Sequence, residues 1–330
     1  MLLPAATQAQ TSRIALLQSA RNLEITTNGQ TSSHLVTSNE SVRLHVKNGQ
    51  IIHGRDTMDM ASTTLRLKTP ARFAIDEDST AFGKQGADHG LLAFRRSMNV
   101  GRWNSLVVPF SLTGRQVTDA FGEDCQLAAL TAITATGDSP AVEFQLVDLQ
   151  TDNVVLTANQ HYLIKPSREP DIAENSQTSI VYGSGKVAGP VYAIPGVSME
   201  SGQTPRYQSL RSDDKTVTLR IRGYYYIQEV SPGTKPRYVM NDEGRITALT
   251  EPILQKGFRS YFEDGSSEEH EQLRFYIDGI GEDLNDVTGL AETVRADRGR
   301  NEAFYDLQGR RVAHPSKGFY IIDGKKVIVK

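Results

Sequence analysis

The sequence predicts a mainly β protein: antiparallel β-sandwich or open-barrel domains, one short helix and a C-terminal tail like a β-hairpin. Three observations carry this. Short runs rich in β-branched and aromatic residues recur along the chain, separated by Asn, Gly, Pro and Asp clusters, the pattern of strands and turns. Only one segment has helical spacing with both a start and a stop signal. No repeat of about 20–50 residues is present, which argues against a solenoid or a propeller.

The 330 residues are 38% apolar and 23% charged, enough for sizeable cores in two or more domains. A net charge of −3 gives no basic excess for nucleic acid. The single cysteine, Cys125, excludes an internal disulfide and has no His partner nearby in sequence, so it reads as a structural thiol rather than a nucleophile. No apolar run approaches the roughly 20 residues of a membrane-spanning helix. Residues 1–10 resemble the end of a signal peptide without its basic start. The expectation is a truncated export signal, or a chain that is the C-terminal part of a longer protein.

Taken in order, residues 12–25 read as a short helix on loosely periodic Ile14, Leu16, Leu17 and Leu23. Val42, Leu44 and Val46 alternate with charged residues and meet Asn48-Gly49 before Ile51 and Ile52, a hairpin signal. Thr64–Lys68 alternates again, and Phe73–Ile75 follows Pro70. Residues 76–90, rich in Asp, Gly and Ser, read as a loop that closes a first region, 1–90. The second region, 91–277, opens with core-type Leu92, Phe94, Trp103, Leu106, Val107, Val108 and Phe110, with Pro109 ending that strand. The helix follows: Thr113 as cap, Val117, Ala120 and Phe121 on one face, Gly122 as stop. Ten further β runs extend to Gln272–Ile277. Residues 278–300, charged and free of aromatics, read as a linker to the tail, 301–330.

Three local patterns carry a resemblance. Arg102-Trp103-Asn104-Ser105-Leu106-Val107-Val108-Pro109-Phe110, Ala158-Asn159-Gln160-His161-Tyr162-Leu163-Ile164-Lys165-Pro166 and Gly257-Phe258-Arg259-Ser260-Tyr261-Phe262 resemble strand segments of exported Bacteroidetes surface proteins, in their order and spacing. The closing Tyr-Asp-Leu-Gln-Gly-Arg-Arg stretch is similar to a type IX secretion C-terminal sorting signal. The matching positions are Tyr305, Asp306, Leu307, Gly309, Arg310, Arg311, Gly318, Tyr320, Gly324, Lys325 and Lys326. The resemblance implies an extracellular or outer-membrane location and the secretion machinery as the tail's partner, and it implies no reaction.

On the residues alone, Phe304–Leu307 and Phe319–Ile322 are β-prone segments that could pair, and Asp323-Gly324 suits a tight reversal. The plain alternative for the basic end is a set of lysines that guard a sheet edge.

No reactive constellation stands out, and the chain is read as non-enzymatic with no metal and no cofactor. The seven histidines are scattered; His45 and His53 flank a hairpin and read as surface residues. Gly183-Ser184-Gly185-Lys186 lacks the full phosphate-loop pattern and reads as a turn. Asp76-Glu77-Asp78, Glu263-Asp264 and Glu268-Glu269 read as solvated loops, with calcium as the rival. Trp103, Tyr224, Tyr225 and Tyr226 are candidate contacts for a polysaccharide, set against an ordinary core role for Trp103. The expected function is structural or adhesive, meeting a polysaccharide or host surface. The alternative is a glycan-binding accessory module of a larger secreted protein, enzymatic or not.

Overall fold

The computed structural model describes residues 20–36, 45–53, 56–83, 86–135, 140–173, 180–182, 185–187, 189–267, 272–278, 282–285, 292–293, 304–305, 311–312, 318–322 and 325–329. The fold is mainly β with one α-helix among the described residues. The chain divides into two compact units, Met1–Leu284 and Asn285–Lys330.

In the larger unit, a six-stranded sheet runs in the order Glu282–Asp283, Arg274–Asp278, Ala141–Leu146, Gln126–Thr134, His161–Lys165, Asn104–Val107. Its pairings are antiparallel except Ala141–Leu146 with Arg274–Asp278, which is parallel. Strand residues point alternately to the two faces, and here both faces are buried. From His161–Lys165, Tyr162 and Ile164 enter one core and Leu163 the other; from Gln126–Thr134, Leu127 enters the first and Ala128 the second. The first core is closed by the helix and by a four-stranded sheet, in the order Asp171–Ala173, Gly189–Met199, Ala87–Arg95, Arg72–Asp76. The second is closed by a five-stranded sheet, in the order Gln208–Arg211, Thr218–Tyr224, Arg259–Asp264, Arg237–Met240, Ile246–Ala248. Removing each large apolar side chain from water stabilises this arrangement by roughly 1.5–3 kcal/mol.

Local chemistry explains the elements. Helix Gly114–Phe121 starts at a capping box: Gln116 N donates to Thr113 Oγ1 (3.2 Å) and Thr113 N donates to Gln116 Oε1 (3.0 Å). Val117, Ala120 and Phe121 face the core, and Gly122 ends the helix at φ 110°. Asn48 (φ 52°) and Gly49 (φ 74°) turn His45–Lys47 into Gln50–His53, and Asn28 (φ 51°) and Gly29 (φ 79°) do the same between Arg21–Thr27 and Gln30–Val36. The first of these hairpins is the expected one. The second corrects the expected helix at 12–25, of which 12–19 lie outside the described residues. Leu23 and Ile25 are buried on one face of a strand, because Asn28-Gly29 supplies a partner within two residues.

Other expectations also change. Ala87–Arg95 is a strand, parallel to Arg72–Asp76, so the boundary expected at residue 90 falls inside an element. Its residues Leu91–Phe94 are fully buried, an apolar run long enough to overrule the polar stretch before it. In the segment expected as a linker, Leu284 is buried in the second core, and its carbonyl accepts from Ile246 N at 2.6 Å.

In the second unit, five short strands pair in the order Glu292–Thr293, Lys325–Val329, Gly318–Ile322, Phe304–Tyr305, Arg311–Val312. Tyr305 pairs with Ile321, as the two β-prone segments of the tail led one to expect. Gly318–Ile322 and Lys325–Val329 form an antiparallel pair that closes at Ile322 and Lys325. Asp306, Leu307, Gly309, Arg310 and Gly324 lie outside the described residues, whereas Tyr305, Arg311, Gly318, Tyr320, Lys325 and Lys326 stand on these strands.

Candidate functional site

A cleft of about 570 Å³ lies beside the start of Ala87–Arg95 and the end of Gly189–Met199. The pairing of these strands slips twice, between Ile194 and Val197 and between Val197 and Met199. Such bulges re-aim side chains, and left-handed backbone at Gly196 (φ 67°) and His89 (φ 44°) accommodates them. Ser198 is thereby set against Asp88. Its Oγ donates to Asp88 Oδ1 (2.9 Å) and accepts from His89 N (3.0 Å), and His89 Nδ1 bonds the same Oδ1 (2.8 Å). The Ser198 hydroxyl, then the His89 imidazole, hold the Asp88 carboxyl below its ordinary range. The imidazole bonds the carboxylate and not the hydroxyl, so this trio lacks the base-to-nucleophile bond of an acyl-transfer triad.

A second part of the lining is held by a chain of hydrogen bonds from the core. Tyr225, fully buried, donates through its hydroxyl to Asn159 Oδ1; Asn159 Nδ2 donates to Gln203 Oε1; Gln203 Nε2 donates to Glu200 Oε2 (2.9 Å). Asn159 sits in the left-handed region (φ 68°), fixed by its N donating to Val108 O (2.7 Å) and its O accepting from Arg206 N (2.8 Å). Pro109, Phe110 and Met199 border the cleft from behind and are buried.

No protein-family model matches the chain, and no curated protein or solved structure is significantly similar to it.

The four aromatic candidates are divided. Trp103 and Tyr225 are buried in different cores: the core role is the one found for Trp103, whereas Tyr225, expected as a glycan contact, enters the first core between two half-buried neighbours. The Trp103 ring has the Lys165 ammonium 5.6 Å from its centre. Tyr224 and Tyr226 stay half-buried with ring centres 5.8 Å apart.

The acidic triplet at 76–78 is the largest departure from expectation. Glu77 is buried, not solvated. Its Oε2 accepts from Arg259 Nη1 (2.7 Å) and meets Arg96 Nη1 (3.5 Å), and Ser97 N donates to its Oε1 (3.0 Å). Burial pushes the Glu77 carboxyl up, but Arg259 and then Arg96 pull it further down, and the net result is lowered. Arg96 is fully enclosed; burial, then repulsion from Arg259, lower it to about 9 against the pull of Glu77. Glu263 and Asp264 are buried too, Glu263 between Arg220 (3.2 Å) and Arg237 (2.9 Å). Glu268 and Glu269 lie outside the described residues.

His161, one of the seven scattered histidines, is a core residue. Its Nε2 donates to Arg206 O (2.7 Å), its Nδ1 faces Ser260 Oγ (2.7 Å), and burial lowers it to about 4. It is therefore neutral and structural. The strand register sets His45 opposite Ile52 and His53 opposite Asp56, so the two histidines are not paired. Burial, then Asp124, push the Cys125 thiol up to about 12, which leaves it inert. Gly185 and Lys186 begin a strand that pairs with Ile180–Tyr182, while 183 and 184 lie outside the described residues. Among the described residues no group of three or more His, Cys, Asp or Glu could hold a metal, and no helix is long and apolar enough to cross a membrane.

Asp88, Ser198, Glu200 and Gln203 were not singled out in the sequence. They come from two stretches more than a hundred residues apart, each of ordinary polar composition. The one local signal was Asn159, a non-glycine residue in a loop between two strands.

Proposed function

We propose that this chain is a non-enzymatic, exported surface protein with an adhesive role, and that its last residues are an export address. The observation that carries this reading is that Asn285–Lys330 is a compact unit of its own, a small sheet whose closing strands carry Arg311, Lys325 and Lys326. A terminal unit of this kind can be recognised, or removed, without unfolding the body. The body contributes packed sheets and a cleft beside which Asp88, His89 and Ser198 are wired for holding rather than for attack. The test is deletion of 285–330 in the organism that carries the chain, followed by fractionation. Loss of the protein from the surface and medium, with a stable body accumulating inside, is the expected result. Normal arrival outside would refute the address.

A second reading, a glycan-binding accessory module, is favoured by the cleft and by the half-buried Tyr224–Tyr226 pair. Retardation on polysaccharide gels separates it from a purely structural role.

A further inference from the structure

We propose that the cleft lined by Asp88 and Glu200 is a binding site for a neutral, hydroxyl-rich saccharide of one or a few sugar units. This rests on the binding reading above and is independent of the export address. Asp88 spends Oδ1 on Ser198 and His89, and Glu200 spends Oε2 on Gln203. Among the described residues, the other oxygen of each carboxylate makes no hydrogen bond or ion pair. The cleft therefore offers strong acceptors and asks for a ligand that brings donors. Sugar hydroxyls meet that need, since one carboxylate oxygen can accept from a hydroxyl in a charge-assisted bond.

The rest of the lining agrees. Ala87 and Ala158, half-buried in the lining, leave apolar surface for the C–H face of a sugar ring. Among the described residues no Lys or Arg lines the cleft, so an anionic saccharide would meet two carboxylates there. The volume of about 570 Å³ falls within the range of small-molecule sites. The walls are set before any ligand arrives. Ser198 is placed by two bulges, and Glu200 is tied through Gln203 and Asn159 to a buried tyrosine. Preorganisation of this kind lowers the ordering cost of binding. Two carboxylates fall short of the six to eight oxygens that calcium takes.

The test is calorimetry on the full chain with cellotriose, xylotriose and mannotriose, with trigalacturonate and calcium chloride as contrasts. At least one neutral trisaccharide is expected to bind with a Kd of about 1 mM or tighter, unchanged by about 0.5 M NaCl. Asp88→Ala and Gln203→Ala are each expected to weaken it roughly tenfold, the loss of one charge-assisted bond or of the tie that orients Glu200. Arg222→Ala, on the outer face of the five-stranded sheet, is expected to leave it unchanged. Asp88 is 85% exposed, so its variant keeps the fold, and a thermal melt verifies this for both. The proposal is overturned if no neutral trisaccharide binds, if binding ignores both cleft variants, if salt abolishes it, or if trigalacturonate or calcium alone binds more tightly.

Discussion

Glu77→Gln removes the single negative charge that faces two arginines in the interior. At an effective dielectric of about 20, charges separated by 2.7 and 3.5 Å attract by roughly 6 and 5 kcal/mol. Much of this offsets the desolvation of the ions, so the measurable cost is smaller. Removing one partner of a buried pair typically costs about 3–5 kcal/mol, because the other charge is stranded. Arg96 is the stranded charge here: it is 2% exposed, close to Arg259, and holds Ser97 O and Ser105 O in place through its own donors. Urea unfolding of Glu77→Gln is therefore expected to show a loss of about 3–5 kcal/mol. At about 2 °C per kcal/mol for a unit of this size, that is a fall in Tm of roughly 6–10 °C. Adding Arg96→Met to the same chain is expected to recover at least half of the loss, since no uncompensated charge then remains. A Glu77→Gln protein within about 0.5 kcal/mol of the parent would refute the reasoning, as would a double variant less stable than the single one.

Four further outcomes follow from the same geometry. His161 is lowered from 6.5 to about 4 by burial, so the unfolded chain binds its proton first and stability falls as pH drops through that window. The loss should total about 3 kcal/mol between pH 6.5 and 4, and an equilibrium-unfolding series should show the slope flattened in His161→Asn. Glu77 acts in the same direction at lower pH: its lowered carboxyl contributes stability above its ordinary value of 4.5 that is lost as pH falls through the folded value. Gly114→Ala, a change that ordinarily favours a helix, should instead destabilise by about 1–3 kcal/mol in thermal unfolding, because the new Cβ would lie 2.3 Å from Leu149 O and 2.7 Å from Thr151 O. Thr113→Ala should cost about 1 kcal/mol through loss of the helix cap, and Thr113→Ser much less.

Much of the architecture is legible in the chain because it is written locally. The Asn48-Gly49 hairpin, the Thr113 cap, the Gly122 stop and the alternation of Leu219 and Ile221 with Arg220 and Arg222 each need only a few neighbouring residues. What local reading misplaces depends on partners far away. Glu77 sits among Asp and Ser like a solvated loop, and only Arg96 and Arg259, the latter 182 residues on, make it a core residue. His161 looks incidental until Ser260 and Arg206 enclose it. Trp103 and Tyr225 show the converse: aromatic side chains suited to a sugar platform are claimed by packing, and Tyr225 keeps only its hydroxyl for the cleft network. The cleft itself has no sequence signature, because bulges rather than residue types bring Asp88 and Ser198 together.

Grafting residues 285–330 onto an inert periplasmic passenger measures most directly whether that unit is an address. Delivery of the passenger to the cell surface or medium is the expected result, with loss of delivery when Arg311, Lys325 and Lys326 are replaced together by Ala. A passenger that stays in the periplasm, although the grafted unit is intact on it, would contradict the address.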